Sequence, residues 1–311
     1  MRAVTAIRCA KLAVGSYQQR FASLARPRIA IQLVALDVDG TILDPNRKVH
    51  PRVRAAMNET IALGVPILLS TGRCPAAASR LVNDGSGVPT AFTGGVFNGG
   101  SLGLDGFGKA RYNVKLPADV VRCSVAQAQR LGLTAVLISG DEFWCAEPNK
   151  WTDRLVAEGD PTPRGVGKKA LCSDRRTGKV NLVCLMGEPH AVDAAETVIG
   201  KLVQGMGAHV VRPFDYMLDV VPVSGGLAGK AAALSQLCAW RGVPAEAVMA
   251  VGDSGNDVDM LRWSGWAVAM GNANSAARAV CDVMVASNGD PARPGVAEAL
   301  EDFVIEPASR C

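Results

Sequence analysis

Two aspartates lie two positions apart at the end of an apolar run, in the stretch "ALDVDGTIL" at residues 35–43. The preceding "RIAIQLVAL" is nearly all aliphatic and predicts a strand buried on both faces of a parallel sheet. In an extended chain Asp37 and Asp39 point the same way, and Gly40 then allows a sharp turn. Two carboxylates this close need a cation between them, or one of them holds a proton. The stretch therefore indicates a metal site, an acid–base pair, or an ordinary polar exit in which Thr41 caps a turn.

Further polar side chains occur where other apolar segments end or a helical segment begins. They are Ser70 and Thr71 in "VPILLSTGR", Lys230 at a helix start, and Asp253, Asn256 and Asp257 in and after "AVMAVGD". In an open parallel sheet, ligands bind beyond the carboxyl ends of the strands, so we expect these side chains to share one crevice with the aspartate pair. Asp253 is predicted to be the N-cap of the helix that follows it.

Two of these segments are similar to common ligand-binding loops but depart from them. "GDSGNDVDM" does not fit a calcium-binding EF-hand, because Gly255 occupies the third ligand position and Ser264 the twelfth. "GGLAGKA" is one residue too short for a nucleotide-binding P-loop, and Ala231 stands where a magnesium-binding hydroxyl is needed. Neither loop alone therefore identifies the chemistry.

The elements that position these side chains alternate between strand-like and helix-like segments, which predicts an α/β fold. A chain of 311 residues exceeds the usual size of a single core, so two domains are expected. The segment from Thr93 to Gly108 contains seven glycines and is interpreted as a hinge region. Residues 107–212 have helix and strand signals of their own and are predicted to form an inserted domain. Residues 29–106 and 213–311 then form the other domain, the core that contains the aspartate pair.

The composition excludes several classes of protein. The chain is 49% hydrophobic and 20% charged, which is typical of a globular protein, and it has no long uncharged apolar stretch that predicts a membrane span. The nine cysteines are scattered without a CxxC pair, which argues against a zinc site and a disulfide framework and favours a reducing compartment.

The net charge of +4 comes from the beginning of the chain, because residues 1–28 contain six basic residues and no acid. Without them, 27 basic and 29 acidic residues remain, and this balance gives no indication of nucleic-acid binding. The Arg-rich, acid-free stretch is typical of an organelle-targeting presequence, with the mitochondrion ahead of the chloroplast because Ser and Thr are few. The alternatives are a basic tail, or a mis-assigned start codon, on a cytoplasmic protein.

The ordered set of segments resembles the haloacid dehalogenase superfamily, and within it the Cof-type phosphatases. The resemblance runs from about Ile29 to Val304 and includes "STGR", "FNGG", "GGLAGKAAALSQL", "VGDSGNDVDML", "AVAMGNA" and "GVAEALEDF". It implies a Rossmann-like core, with a parallel sheet flanked by helices, and an inserted α/β cap domain.

The resemblance also implies a role for each of the polar side chains. Asp37 matches the nucleophile that becomes phosphorylated, and Asp39 matches the general acid and base, whose backbone carbonyl also binds the metal. The other matches are Thr71, Gly72, Lys230 and Asn256 for phosphate binding, Asp253 for Mg²⁺ together with Asp37 and Asp39, and Asp257 and Ser70 as supporting residues.

The expected function is therefore a Mg²⁺-dependent phosphatase for a small phosphomonoester, with a sugar phosphate as the default substrate. Flavin mononucleotide and pyridoxal phosphate are alternative substrates, and a phosphohexomutase or a non-catalytic binding protein on the same fold are alternative functions. Neither nucleic acid nor a membrane is an expected partner, and the chain is expected to be a monomer or a weak homodimer. Trp144 and Trp151 are candidates for the rim of the substrate pocket, and core packing is the alternative for both.

Overall fold

The computed structural model describes residues 26–83 and 93–309. Most of the predicted leader, residues 1–28, lies outside the described residues and stays a prediction. The described strands are β1 (Leu33–Leu36), β2 (Ile67–Ser70), β3 (Gly94–Phe97), β4 (Leu102–Asp105), β5 (Ala110–Asn113), β6 (Thr134–Ser139), β7 (Glu142–Cys145), β8 (Arg164–Gly165), β9 (Leu182–Met186), β10 (Ala208–Phe214), β11 (Met217–Ser224), β12 (Leu227–Ala228), β13 (Val248–Gly252), β14 (Trp266–Ala269) and β15 (Val283–Met284).

The helices connect these strands and cover the faces of the sheets. Those described are α1 (Pro51–Ala62), α2 (Pro75–Asn83), α3 (Ala118–Arg130), α4 (Lys150–Ala157), α5 (Lys168–Leu171), α6 (Asp174–Thr177), α7 (Pro189–Val203), α8 (Gly229–Arg241), α9 (Val258–Trp263), α10 (Ser275–Arg278), α11 (Gly295–Leu300) and α12 (Glu306–Ser309). Within that part of the chain, no helix is long and apolar enough to cross a membrane.

The first sheet has eight strands in the order β15-β14-β13-β1-β2-β3-β4-β5. The pairs from β15 to β3 are parallel, and β3, β4 and β5 pair antiparallel. Successive residues of β1 point to opposite faces, so Val34 and Leu36 pack with α1 and α11, while Leu33 and Ala35 pack with α8 and α9. This confirms the predicted α/β fold with a parallel sheet between helices, in which strands buried on both faces are uniformly apolar.

The second sheet has the strand order β10-β11-β9-β6-β7-β8, and β12 pairs with β11. Apolar residues of α3 and α7 pack against one face of this second sheet. The other face packs against α2, the helix that follows β2 of the first sheet. Sheet membership changes after Asn113 and after Ala228, some residues beyond the predicted boundaries at 107 and 212. The treatment of residues 107–212 as an inserted domain stays a prediction.

Two segments differ in detail from the expectation. The apolar run at residues 28–36 forms a strand only from Leu33, and Ile29 at its start is exposed. The glycine-rich segment at residues 93–108 forms β3, a tight turn at Asn98–Gly100, and β4. Its predicted role as a hinge stays a prediction.

Candidate active site

The carboxyl ends of β1, β2 and β13 lie side by side and open into one cavity of about 430 Å³. This arrangement follows from the parallel order of the three strands, since each ends at the same edge of the sheet. Side chains from the second sheet close the opposite side of the cavity. The predicted site residues that line it are Asp37, Asp39, Thr71, Gly72, Asp253 and Asn256.

Lys230 lies at the first turn of α8 and pairs with two carboxylates beneath the cavity. Its Nζ is 2.5 Å from Asp37 Oδ1 and 2.6 Å from Asp257 Oδ1, and all three side chains are buried. Burial alone lowers the pKa of Lys230, but the charges of Asp257 and Asp37 outweigh it and the pKa is raised. The ammonium therefore stays protonated and fixes the orientation of Asp37.

More carboxylates than positive charges surround the Lys230 ammonium. Asp37, Asp253 and Asp257 each place an oxygen within 4.8 Å of the others. Burial, and then the charge of Asp257, raise the pKa of Asp37, and the same causes raise that of Asp253 to about 7. One ammonium does not neutralise three carboxylates, and an all-oxygen donor set suits a hard divalent cation. Asp37 and Asp253 therefore fit a metal site, while the assignment of Mg²⁺ to Asp37, Asp39 and Asp253 stays a prediction.

The loop after β13 is held by Asp257. Its Oδ2 accepts hydrogen bonds from the backbone N–H groups of Asp253 and Ser254, at 3.1 and 3.0 Å. The N-cap of the turn at Gly255–Asp257 is Ser254, so the prediction that Asp253 caps this helix is wrong. The turn begins one residue later, and Asp253 instead lines the cavity, where its Oδ1 accepts a hydrogen bond from Thr41 Oγ1 at 3.3 Å.

Asp39 pairs with an arginine that the sequence analysis did not assign. Arg73 Nε lies 2.6 Å from Asp39 Oδ2, and Arg73 Nη2 lies 2.9 Å from Asp39 Oδ1. The same guanidinium donates to the carbonyl of Glu158 at 2.9 Å and to Asp160 Oδ2 at 3.1 Å. Arg73 therefore links the predicted acid–base residue to the loop after α4. Its position two residues after Thr71, in "STGR", is the signal that could have identified it.

Two further arginines, from segments that follow β1 and β2, donate hydrogen bonds to the same loop. Arg47 donates to the backbone carbonyl of Glu158, and Arg80 to that of Gly159. Together with Arg73, they attach residues 157–160 to the segments that follow β1 and β2 of the first sheet, at one side of the cavity.

The segment after β2 brings a hydroxyl and a backbone amide to the cavity. Thr71 is buried, and its Oγ1 accepts a hydrogen bond from the N–H of Arg73 at 3.2 Å. Gly72 lines the cavity with open space beside its Cα. Ser70 is buried beneath them and does not line the cavity, so its supporting role stays a prediction.

Glycines allow the backbone to approach the site closely at two points. Gly40 has a φ of 78°, as expected for the turn after the aspartate pair, and a Cβ there would lie 2.4 Å from Asp253 Oδ2. At Gly100, with a φ of 94°, a Cβ would lie 1.9 Å from the carbonyl oxygen of Gly229, next to Lys230. The turn at Asn98–Gly100 therefore supports the start of α8.

Aromatic side chains from the second sheet form part of the cavity wall. Phe214 and Tyr216 stack at 5.3 Å, and the Arg154 guanidinium lies 3.4 Å from the centre of the Tyr216 ring. Trp151 stacks on Tyr216 at 6.2 Å but does not line the cavity, and Trp144 packs into a separate core. Core packing, the alternative for the two tryptophans, therefore describes their positions.

Comparisons with known proteins identify the family of this chain. The family model of haloacid dehalogenase-like hydrolases matches residues 34–300. The chain is 26% identical over 278 residues to the Bacillus subtilis 5-amino-6-(5-phospho-D-ribitylamino)uracil phosphatase YitU, covering 87% of this chain and 97% of that protein. It is 26% identical over 292 residues to the chloroplastic endoribonuclease YBEY of Arabidopsis thaliana, covering 86% of this chain but only 46% of that longer protein.

Solved structures show the same fold. A haloacid dehalogenase-like hydrolase from Bacteroides thetaiotaomicron superposes with a TM-score of 0.72 at 25% identity, covering 87% of this chain and 98% of that one. The sugar phosphatase BT4131 superposes with a TM-score of 0.73 at 19% identity, covering 87% and 98%. The family model and the Bacillus subtilis phosphatase support the predicted enzyme class, a phosphoric monoester hydrolase. The family model spans nearly the whole described chain, and strands of this chain end at a shared acidic cavity. This chain therefore belongs to the haloacid dehalogenase-like hydrolases.

Proposed function

We propose that this hydrolase is a Mg²⁺-dependent phosphatase that acts on a small phosphomonoester through a phosphorylated Asp37. The observation that carries the proposal is the cluster of Asp37, Asp253 and Asp257 beside Lys230 at the base of the cavity. A nucleophilic carboxylate and a buried cation at one point suit phosphoryl transfer, in which positioning and charge neutralisation provide most of the catalysis.

The metal would be held by Asp37, Asp253 and the backbone carbonyl of Asp39. When bound, it supplies the positive charge that a phosphate dianion needs in order to approach several carboxylates. Lys230 adds a fixed positive charge and orients Asp37. The Thr71 hydroxyl and the Gly72 N–H hold the phosphoryl oxygens, and Asn256 serves the same purpose from the opposite loop.

The reaction has two steps that use the two aspartates differently. In the first, Asp37 forms a bond to phosphorus while the bond to the leaving oxygen breaks, and Asp39 gives that oxygen a proton. In the second, water attacks the phosphorus, Asp39 takes the water proton, and the bond to Asp37 breaks. Arg73 keeps the Asp39 carboxyl facing the cavity, since it contacts both of its oxygens.

The substrate class is the finer part of the proposal. A cavity of about 430 Å³ leaves room for an organic leaving group beside the phosphoryl position, and a sugar phosphate is the first candidate. A phosphomonoester with a ring-bearing leaving group, such as flavin mononucleotide or pyridoxal phosphate, is the second candidate. The aromatic wall at Phe214 and Tyr216 favours it, as does the ring-containing substrate in the name of the Bacillus subtilis relative. A phosphohexomutase would differ by returning the phosphoryl group to its product.

The mechanism is tested by exchanging each aspartate for asparagine. Asp37→Asn removes the nucleophile, so turnover and the hydroxylamine-sensitive phosphoenzyme should both be lost. Asp39→Asn should slow alkyl phosphates by roughly 10²–10⁴-fold, because the leaving alkoxide then departs without a proton. The loss should be smaller for an aryl phosphate, since a phenolate of low pKa leaves unaided.

The control is a single-turnover assay of phosphoenzyme formation, which separates the first step from the hydrolysis that follows. Equal losses for alkyl and aryl esters in Asp39→Asn would contradict the leaving-group role. Substantial turnover by Asp37→Asn would contradict the whole mechanism.

We also propose that the protein acts in an organelle. The basic, acid-free stretch at residues 1–28 supports this, and the Arabidopsis relative is named as chloroplastic. A fluorescent reporter fused to residues 1–35 tests the proposal, and co-staining separates the mitochondrion from the chloroplast. A diffuse cytosolic signal would contradict it.

A further inference from the structure

The side of the cavity formed by the second sheet is largely apolar. Its lining there includes Ile138, Phe143, Leu182, Tyr216 and Met217. Three carboxyl groups interrupt this surface, and they belong to Glu158, Asp160 and Asp219. The phosphoryl-binding residues all lie on the other side of the cavity, so this wall faces the leaving group of a phosphomonoester.

Two of the three carboxyl groups are already bound to the protein. Glu158 Oε1 accepts from the Tyr216 hydroxyl at 2.8 Å and from Arg154 Nε at 3.0 Å. Asp160 Oδ2 accepts from Arg73. Asp219 differs, because its Oδ1 is buried and has no hydrogen-bond partner.

Asp219 lies within strand β11, between β9 and β10, opposite Cys184 and Val211. It is only 6% exposed and lines the cavity. Burial raises its pKa to about 7; the Cys184 thiol lowers the pKa and the charge of Asp160 raises it. A buried acceptor without a donor costs stability, so such a group calls for an explanation other than packing.

The buried carboxylate of Asp257 is bound differently. Asp257 uses Oδ1 for Lys230 and Oδ2 for two backbone N–H groups, so both of its oxygens have partners. Asp219 also lines the cavity, but its hydrogen bonding is incomplete, because the Cys184 thiol bonds the carboxyl group while Oδ1 has no partner.

We propose that Asp219 accepts a hydrogen bond from an O–H or N–H donor on the leaving group, and is thus a specificity-determining residue. The inference rests on the proposed phosphatase activity. The apolar neighbours of Asp219 contact the rest of the leaving group, so a leaving group with a donor beside an apolar or flat face fits this wall best. A sugar hydroxyl and a ring O–H or N–H share this chemistry.

The test removes the acceptor and compares esters that differ in their donors. The probes are glucose 6-phosphate and pyridoxal 5′-phosphate, which carry donors, and 4-nitrophenyl phosphate, which carries none. In Asp219→Leu, kcat/KM should fall by about 10- to 100-fold for those donor-bearing esters that the wild-type protein hydrolyses. The kcat/KM for 4-nitrophenyl phosphate should change by less than about threefold. The affected ester separates a sugar from a ring donor.

The matched control is Val211→Ala, on the strand beside Asp219 but outside the cavity lining. It reports disturbance of the sheet, which should alter all esters in the same proportion. A proportional loss in Asp219→Leu, or an unchanged kcat/KM for every donor-bearing ester, would overturn the proposal.

A binding measurement keeps this inference separate from the catalytic proposal. In protein carrying Asp37→Asn, calorimetry should show tighter binding of the donor-bearing ester than of 4-nitrophenyl phosphate, and adding Asp219→Leu should abolish the difference. If the unchanged protein hydrolyses no ester but this difference is present, the proposed activity fails and the role of Asp219 stands. If the difference is absent or insensitive to Asp219, the role of Asp219 fails.

Discussion

Arg73 binds both carboxylate oxygens of Asp39, with Nε 2.6 Å from Oδ2 and Nη2 2.9 Å from Oδ1. A fork of this kind fixes the plane of the carboxyl group as well as its distance. Because Arg73 also holds Asp160 and the carbonyl of Glu158, the orientation of Asp39 depends on the position of the loop after α4.

The first prediction concerns this fork. Arg73→Lys keeps the charge but cannot contact both oxygens in one plane, so kcat for an alkyl phosphate should fall by about 10- to 100-fold. An aryl phosphate should be less affected, since it needs less help from Asp39. Steady-state kinetics with both esters measure the effect.

Arg80→Lys is the matched control, because Arg80 donates to Gly159 of the same loop without touching Asp39. It should leave the ratio of alkyl to aryl turnover unchanged. If both variants change this ratio equally, Arg73 acts by attaching the loop and not by orienting Asp39.

The second prediction concerns the buried pairing of Lys230. Lys230→Met leaves Asp37 and Asp257 without their cation, and breaking a buried ion pair from one side costs about 3–5 kcal/mol of unfolding free energy. Urea unfolding in the presence of a chelator measures the loss. Lys150→Met, which removes an exposed partner of Glu188, should give no measurable change. Comparable stabilities of the two variants would argue against a structural role for Lys230.

The third prediction compares two glycines that both have positive φ. Gly108→Ala has open space and should cost only the conformational strain, about 1–2 kcal/mol, with activity unchanged. Gly100→Ala adds a clash with the backbone of Gly229, so it should cost about 1–3 kcal/mol more and also reduce kcat. Equal kcat in the two variants would show that the start of α8 tolerates displacement.

The fourth prediction follows from the buried carboxyl of Asp219. Its pKa is about 7 in the folded protein against an ordinary value of 3.8, so the folded state binds more protons between these values. Stability contributed by this proton is therefore lost as the pH rises from about 4 to about 7. Asp219→Asn cannot ionise, and it should gain up to about 4 kcal/mol relative to the unchanged protein at pH 8, and less at pH 5.

Urea unfolding at the two pH values checks this difference. A gain that does not vary with pH would show that Asp219 is already ionised in the folded protein at pH 5, so that burial does not raise its pKa. It would leave the separate test with donor-bearing esters unaffected.

Asp37, Lys230 and Asp253 could be found from the sequence because each stands where a regular element begins or ends. The order of parallel strands then brings such positions together, so local pattern and topology agree. Arg73 and Asp219 could not be assigned in this way. Arg73 acts through contacts with a loop about 85 residues away, and Asp219 stands inside an apolar strand where no local pattern shows which groups surround it.

The fold was predictable to a similar degree. Strands buried on both faces leave a continuous apolar signal, and β1, β2 and β13 were predicted for that reason. The edge strand β5, with the sequence "ARYN", is largely exposed and carries no such signal. The boundary between the sheets depends on edge strands of this kind, which is why hydrogen bonding places it beyond residue 107.

The contact of Gly100 with Gly229 also bears on how the chain folds. The N–H of Val114 donates to the carbonyl of Ser101, so the chain leaves the first sheet beside the turn at Asn98–Gly100. The chain returns from the second sheet at Gly229, which lies against Gly100 of the same turn. The intervening segment is therefore a closed loop with a narrow neck. Since the entropy of closing a loop grows only slowly with its length, insertions within this segment should cost little as long as the neck is kept. Because Lys230 directly follows Gly229 at this contact, which joins residues far apart in the sequence, we expect the phosphoryl site to form late in folding.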